Sequence, residues 1–333
     1  MLVYSVPGIR INDSWYCRDE ELMYHSYFLE YSYDEPEEYA WSRQRIGHMV
    51  SKDLQNWTYC GTVLAPEPGT WNDIGLATGS VVRYNNLWYM LFSGNSSEVS
   101  GIGIAVSQDL YTWKRVGEQP VIRFYDLYPF QYEGRTVYAA PLADPYVYPE
   151  PIDGVYYIFV NSWVAGLPLN QRAVQAIFTT RDFQEFHPHR FPFVGKCDRM
   201  ETAQVWEHNG RFYMNTGCVS VVTDGKCDIM KPELFSHITG GSSYNGIFSA
   251  DRIDGSYRPV GELQYPQVHT SGSLYISKVL QDPEGKEVML VNNVPNGVVG
   301  PFKVVYRDDG GIFLETEVQQ NIRDERSGYR SGC

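Results

Sequence analysis

Apolar residues along this chain alternate with polar ones or gather in short runs, and no stretch keeps a helical period for more than about two turns. Runs such as Ile102-Gly103-Ile104-Ala105-Val106 and Ala173-Val174-Gln175-Ala176-Ile177-Phe178 read as strands. So do the aromatic-rich stretches Met23 to Leu29, Leu87 to Phe92, Val155 to Val160, Arg211 to Asn215 and Val288 to Val291. A polar stretch of fixed form follows several of these runs. Ser51-Lys52-Asp53-Leu54-Gln55-Asn56-Trp57, Ser107-Gln108-Asp109-Leu110-Tyr111-Thr112-Trp113 and Thr180-Arg181-Asp182-Phe183-Gln184-Glu185-Phe186 share a hydroxyl, any residue, Asp, an apolar residue, two polar residues and an aromatic. Ser249 to Tyr257 is a looser copy. Short Ser, Thr and Asp side chains bond backbone groups one or two residues on and hold a tight turn. The aromatic adds a large apolar surface for packing. Asp53, Asp109, Asp182 and Asp251 therefore read as structural residues of outer turns.

A second repeat marks where each unit begins. Ile11-Asn12-Asp13-Ser14-Trp15, Ala77-Thr78-Gly79-Ser80-Val81, Ala143-Asp144-Pro145-Tyr146-Val147, Glu201-Thr202-Ala203-Gln204-Val205 and Thr270-Ser271-Gly272-Ser273-Leu274 each precede a polar turn and then a strand. Their spacing, roughly 57 to 70 residues, suits four-stranded blades with loops of variable length. The pattern predicts an all-β fold, a single five-bladed β-propeller of four-stranded antiparallel blades over 1–318. The blades fall at about 9–65, 70–125, 138–196, 199–264 and 267–318, with 319–333 a polar C-terminal tail. Ring closure calls for a terminal strand to complete another blade. The connections Asp34 to Trp41, Arg123 to Tyr138 and Gly225 to Ser243 are long enough to form a rim or lid.

Composition agrees: Tyr 26, Phe 15 and Trp 8, with Gly 30 and Pro 19, suit strands punctuated by turns. The net charge of −13 argues against nucleic acid, since phosphate binding needs clustered Lys and Arg. No apolar run approaches the roughly 18 residues of a membrane span. No basic and apolar leader opens the sequence. Cys17, Cys60, Cys197, Cys218, Cys227 and Cys333 lack metal-type pairing; Cys218 and Cys227 are spaced for a hairpin bridge, but free thiols are the expectation. The expected location is cytoplasmic.

The first strand of a propeller blade lines the central channel, so the five starting segments converge. They bring Asp13, Asp144 and Glu201 from units one, three and four. Units two and five bring Thr78, Ser80, Thr270 and Ser271, with Asp73 and His269 slightly upstream. Three carboxylates at one axis are costly unless a ligand, metal or proton shares the field, and one then has the raised pKa a general acid needs. Any one of these acids alone is as readily a turn former; all three at one position of their units are not.

These motifs resemble a known group. Asn12-Asp13-Ser14 followed by Tyr24-His25-Ser26-Tyr27-Phe28 resembles the opening of glycoside hydrolase family 32. Ser51 to Trp57 is similar to a turn common to families 32 and 43. Ala143-Asp144-Pro145 with Val155-Tyr156-Tyr157, and Glu201-Thr202 with Gly210-Arg211-Phe212-Tyr213, resemble the second and third acidic motifs of these five-bladed enzymes. The resemblance covers about residues 9–310. It implies that Asp13 is the nucleophile of a retaining enzyme or the base of an inverting one, that Glu201 is the general acid, and that Asp144 binds sugar hydroxyls and tunes the acid. On this reading Glu201 is the carboxyl whose pKa is raised. Ala143 stands where family 32 carries Arg, and Thr202 where it carries Cys. The N-D-S opening points to family 32 and the single-domain length to family 43.

Trp71, beside Asp73, is the foremost candidate for stacking on a sugar, with Trp15, Trp163 and Trp206 behind it; Thr78, Ser80 and Gln204 complete the expected substrate contacts. His269 occupies a position where family 43 enzymes place an axial histidine, sometimes beside a structural metal ion; no cofactor is required. The expected activity is hydrolysis of a furanoside (fructofuranoside or arabinofuranoside) or a small xyloside, with transglycosylation as an extension. The expected partner is a small carbohydrate, with no nucleic acid and no membrane. Two alternatives stand beside it: a propeller that binds carbohydrate without turnover, and one recruited to another reaction on a glycosylated small molecule.

Overall fold

The computed structural model describes residues 3–36, 43–221, 241–264 and 273–316, and among them every regular element is a β-strand. Five antiparallel sheets follow one another along the chain. The first pairs Ile9–Arg18, Tyr24–Ser32, Arg45–Ser51 and Trp57–Leu64 in that order. The second pairs Gly75–Tyr84, Leu87–Asn95 and Ser100–Ser107, whose outer edge carries both Lys114–Val116 and Ile122–Arg123. Arg135–Val147, Tyr156–Val164, Ala173–Thr180 and His187–Arg190 make the third. The fourth is Arg199–His208, Arg211–Val221, Gly241–Ala250 and Arg258–Glu262. In the fifth, Ser273–Gln281, Glu287–Val294 and Gly297–Tyr306 are joined by Ile312–Glu315 and by Val3–Tyr4 from the opposite end of the chain. Val3 pairs with Val299 and Tyr4 with Val298, so a terminal strand completes another blade.

The apolar cores lie between sheets rather than within them. Trp15, Tyr27, Met90 and Trp113 fill the space between blades one and two; Leu91, Ile104, Phe130 and Phe178 fill that between two and three. Phe159, Met200 and Met214 join three to four, and Trp206, Met289 and Phe302 join four to five. Ile11, Phe28, Leu290 and Val298 close five onto one. Strands with large residues on both faces need a sheet on each side, and five twisted sheets in a ring supply this while leaving only short outer edges. The first strands of successive blades also touch around the axis, the fifth returning to the first.

Expected connections behave differently. Arg123 to Tyr138 is not a free rim: Tyr128–Tyr132 is a strand on Arg135–Val147 and meets the last strand of its blade at Arg190, closing that sheet on itself. Parts of the other two connections, residues 37–42 and 222–240, lie outside the described residues, as does the expected tail 319–333. Cys17, Cys60, Cys197 and Cys218 are free thiols. The Cys218 partner expected from spacing, Cys227, is outside the described residues, whereas Cys197 hydrogen-bonds to Cys218.

The repeated turn is built as its residues dictate. Ser107 Oγ accepts from the backbone NH of Asp109 (3.2 Å) and Leu110 (2.9 Å), and Asp109 Oδ1 accepts from Tyr111 (2.9 Å) and Thr112 (2.7 Å). Leu110 takes a left-handed φ of 67° and plugs into the core, while Trp113 Nε1 donates to its carbonyl at 3.2 Å. Ser51–Trp57 and Thr180–Phe186 repeat the arrangement, with Leu54 at φ 61° and Phe183 at φ 59°. The fourth copy differs. Asp251 is solvent-exposed, and Asp254 takes the structural role, bonded to Arg252 (3.0 Å) and His189 (3.2 Å). Asp109→Ala is expected to cost about 1 kcal/mol, because two backbone donors and a left-handed leucine lose their support. A lowered urea midpoint with unchanged activity checks this.

Candidate active site

Each innermost strand breaks register at the same place. The ladder skips between Ile11 and Ser14, Ala77 and Gly79, Ala143 and Tyr146, Glu201 and Gln204, and Tyr275 and Ser277. A β-bulge leaves an extra residue unpaired and re-aims its side chain. Here the extra residues include Asp13, Thr78 and Asp144, with Glu201 and Tyr275 immediately before their bulges. Asp144 (φ 57°), Thr202 (φ 49°) and Ile276 (φ 59°) sit in the left-handed region, a backbone cost paid at the bulges of three blades.

The result is one cavity of about 260 Å³ lined by Asp13, Asp144 and Glu201 together. Thr78 Oγ1 donates to Asp13 Oδ2 at 2.6 Å. Asp144 Oδ2 accepts from the Thr202 NH at 3.2 Å, tying blade three to blade four. Tyr275 Oη donates to Glu201 Oε2 at 3.0 Å, and Arg199 Nη1 lies 2.9 Å from Glu201 Oε1. Gly217, opposite Glu201 in the ladder, makes room for this: a Cβ there would collide with the Tyr275 ring and hydroxyl. Lys278 Nζ is buried beneath the acids and donates to the carbonyls of Thr202 (2.6 Å) and Ala203 (3.0 Å).

Burial pushes Asp13 up to about 6, helped by the charge of Glu201 and opposed by the Thr78 hydrogen bond and Lys278. Burial, then the charges of Asp13 and Glu201, push Asp144 up to about 7. Burial brings Lys278 down to about 8 against the pull of both aspartates. Burial thus raises both aspartates, while Glu201 has a counter-ion in Arg199.

Of the other expected contacts among the described residues, Thr78 and Trp163 line the cavity, whereas Trp71, Trp15, Trp206, Ser80, Gln204 and Asp73 do not. Trp71 is 8% exposed, stacks on Phe92 at 6.0 Å and packs over Gly94 and Gly103. Trp15 is buried against Tyr27. Ser80 Oγ accepts from the Val147 NH (3.1 Å), and Gln204 makes two bonds with the Val279 backbone, so both pin neighbouring blades. Asp73 is exposed away from the cavity. His269, Thr270 and Ser271 lie outside the described residues, among which no group of three or more His, Cys, Asp or Glu could hold a metal ion. Of the lesser candidates, Trp163 lines the cavity, with Nε1 donating to the Asp198 carbonyl (2.9 Å) and Arg172 stacked 3.6 Å from its ring; Trp206 bonds Tyr306 in the core.

The structure adds Gln44, Asn161, Arg199 and Tyr275 to the lining. Gln44 Nε2 and Asn161 Oδ1 are buried with no protein partner, an unusual donor and acceptor facing a cavity. Tyr275 was within reach of the repeat, since it stands in the fifth blade where Glu201 stands in the fourth. The expected fifth starting segment, Thr270 to Leu274, begins about five residues before this position.

Residues 11–290 match the glycosyl hydrolases family 32 N-terminal domain. The chain belongs to this family. No curated protein matches the sequence, but solved structures share the fold. A family 32 β-fructofuranosidase of Bombyx mori is 15% identical with a TM-score of 0.68, the match covering 96% of this chain and 65% of that one. Fructan 1-exohydrolase IIa from Cichorium intybus is 15% identical with a TM-score of 0.65, covering 96% and 60%. A family 43 α-L-arabinofuranosidase from Clostridium thermocellum is 16% identical with a TM-score of 0.63, covering 92% and 94%. This chain spans just under two-thirds of those family 32 enzymes.

Proposed function

We propose that this family 32 propeller is a retaining glycoside hydrolase acting on a small furanoside. The observation that carries the reading is the placing of Asp13, Asp144 and Glu201 on bulges, or immediately before them, in three blades around one cavity. The similar structures include enzymes named for fructofuranosides and for arabinofuranosides, so both sugars are candidates. A volume of about 260 Å³ is below the roughly 300–1,000 Å³ of sites for drug-sized ligands, which favours one enclosed sugar ring over a buried polymer. Gln44 Nε2 and Asn161 Oδ1 suit a polyhydroxylated ligand, because each buried amide atom gains the hydrogen bond it lacks.

In the first step the Asp13 carboxylate attacks the anomeric carbon while Glu201 gives its proton to the departing oxygen. The bond to the leaving group breaks and a glycosyl ester forms on Asp13. Water, losing a proton to Glu201, then attacks that carbon and frees Asp13. Asp144, tied to the Thr202 NH, would hold sugar hydroxyls across the forming charge. No cofactor enters this route.

A panel of 4-nitrophenyl β-D-fructofuranoside, 4-nitrophenyl α-L-arabinofuranoside and sucrose tests the reading. Wild type is expected to turn over one of them, with kcat/KM falling below about pH 6 as Asp13 takes up a proton. Glu201→Gln is expected to spare the nitrophenyl substrate, whose leaving group needs no proton, far more than sucrose. Binding of free sugar without turnover of any substrate would instead favour a carbohydrate-binding propeller.

A further inference from the structure

Three second strands place a buried asparagine opposite the bulge. Asn161 pairs with Ala143, Asn215 with Gln204 and Asn292 with Tyr275. Two of them bond the innermost strand of the next blade around the ring. Asn215 Nδ2 donates to the Ser277 carbonyl at 2.9 Å, and Asn292 Nδ2 to the Asn12 carbonyl at 3.2 Å. The third breaks the pattern. Asn161 lines the cavity with its Oδ1 unbonded, and the Thr202 and Ala203 carbonyls of blade four's bulge accept from Lys278 Nζ, reaching back from blade five, at 2.6 and 3.0 Å. An ammonium thus stands where the other two blades use a neutral amide. We propose that Lys278 is a positioning residue for the hydrolysis: its buried charge keeps Asp13 ionised for attack, and its two hydrogen bonds fix the bulge that aims the Thr202 NH at Asp144. The inference rests on the glycosidase reading and adds the group that sets the charge of its nucleophile.

Hydrogen bonding alone does not call for an ammonium. Burying one costs far more than burying an amide unless opposite charge lies near. The charges that act on Lys278 are Asp13 from blade one and Asp144 from blade three. Glu201, from blade four, already has Arg199 at 2.9 Å and Tyr275 at 3.0 Å. Tyr146 presents its ring at 6.0 Å, with its hydroxyl on the Val205 carbonyl at 2.8 Å.

Two aspartates in one buried cavity oppose each other's ionisation, and a cation beneath them favours it. Lys278 pulls both down against burial, and both hold Lys278 up against the burial that brings it to about 8. The backbone carries the second part of the role. Thr202 has a φ of 49°, which a β-branched residue keeps only with support. Its NH donates to Asp144 Oδ2 and its carbonyl accepts from Lys278, so the lysine limits the swing of the group that holds Asp144.

Three variants separate charge from support. Lys278→Gln keeps amide donors without the charge, Lys278→Met removes both, and Lys278→Arg keeps the charge. In Lys278→Gln the acid-side fall of kcat/KM, on the nitrophenyl furanoside that is turned over, is expected to move up by about 1 in pH. The variant is then about tenfold slower than wild type at pH 5 and close to it at pH 8. Lys278→Met shows the same move together with a loss at every pH, because the Thr202 NH is no longer held. Lys278→Arg keeps the wild-type limb. A carbon-13 titration of lysine Cε reads the coupling without turnover. Lys278, assigned as the signal absent from Lys278→Arg, is expected to titrate near pH 8 in wild type and lower in Asp13→Asn, since coupling between two sites is reciprocal. Turnover with an unmoved limb in Lys278→Gln, or a lysine titration unchanged by Asp13→Asn, overturns the inference and leaves the glycosidase reading standing. A lysine titration that falls in Asp13→Asn, in a protein that hydrolyses no furanoside, overturns the glycosidase reading and leaves the coupled charges in place.

Discussion

Asp13→Asn is expected to lower kcat by about 10⁴-fold or more while leaving the protein folded. Asparagine keeps the shape of the side chain and its carbonyl still accepts the Thr78 hydroxyl, so the bulge and cavity persist. What disappears is the charge that attacks the anomeric carbon. No neighbour can supply it: Asp144 is directed to the Thr202 NH, and Glu201 is needed as acid. Asp13→Ala extends the test. Formate or azide at high concentration can enter the space of the lost carboxylate and attack the same carbon, restoring turnover of a nitrophenyl furanoside. Such rescue, with azide giving a glycosyl azide, places Asp13 on the face opposite the leaving group, and retention of anomeric configuration in the wild-type product then marks it as a nucleophile rather than a base that activates water. Mild and equal losses in the Asp13, Asp144 and Glu201 variants on every substrate would remove all three from the chemistry.

The sequence disclosed most where one physical cause recurs. The hydroxyl-x-Asp turn could be read three times because three outer turns need the same backbone donors capped, and the structure repeats the bonds almost atom for atom. The acids could be read because the innermost strands share a position. That they lie on or beside bulges could not, since a bulge arises from pairing with the next strand and leaves no fixed residue type behind. Aromatic residues were the weak point. Trp71 stands beside Asp73 in the sequence and Trp163 near no acid, yet Trp71 seals the gap left by two glycines between strands, while Trp163 is turned to the cavity by Asp198 and Arg172. Contacts between blades decide that choice. Arg199 was overlooked for a related reason: it matters because it shares a strand face with Glu201 and pairs with it, and a single arginine carries no signal of its own.

Asp144→Asn should make the protein more stable at pH 8 and no more stable at pH 4, while lowering both binding and turnover. The sign follows from the direction of the shift. Asp144 is raised from 3.8 to about 7 in the folded chain, so folding favours its neutral form. Its contribution is fully present below pH 4 and is lost as pH rises through about 7. The gap corresponds to roughly 4 kcal/mol at most, shared in part with Asp13 because the two aspartates titrate as a pair. An asparagine cannot ionise and avoids that loss. It also suits the backbone, since asparagine enters the left-handed region more readily than most residues and Asp144 has a φ of 57°. Thermal melts at the two pH values are the measurement, with a rise of several degrees expected at pH 8 only. Asp144→Ala separates charge from backbone: it loses the ionisation cost too, but places a Cβ-bearing residue without local hydrogen bonding in a left-handed bulge, so its gain at pH 8 is smaller and at pH 4 it melts below wild type. Equal melting shifts for Asp144→Asn at both pH values would mean that the carboxyl is not held neutral by its surroundings. A gain confined to high pH, with activity lost, would identify Asp144 as a group kept at the cost of stability for what it does to the substrate.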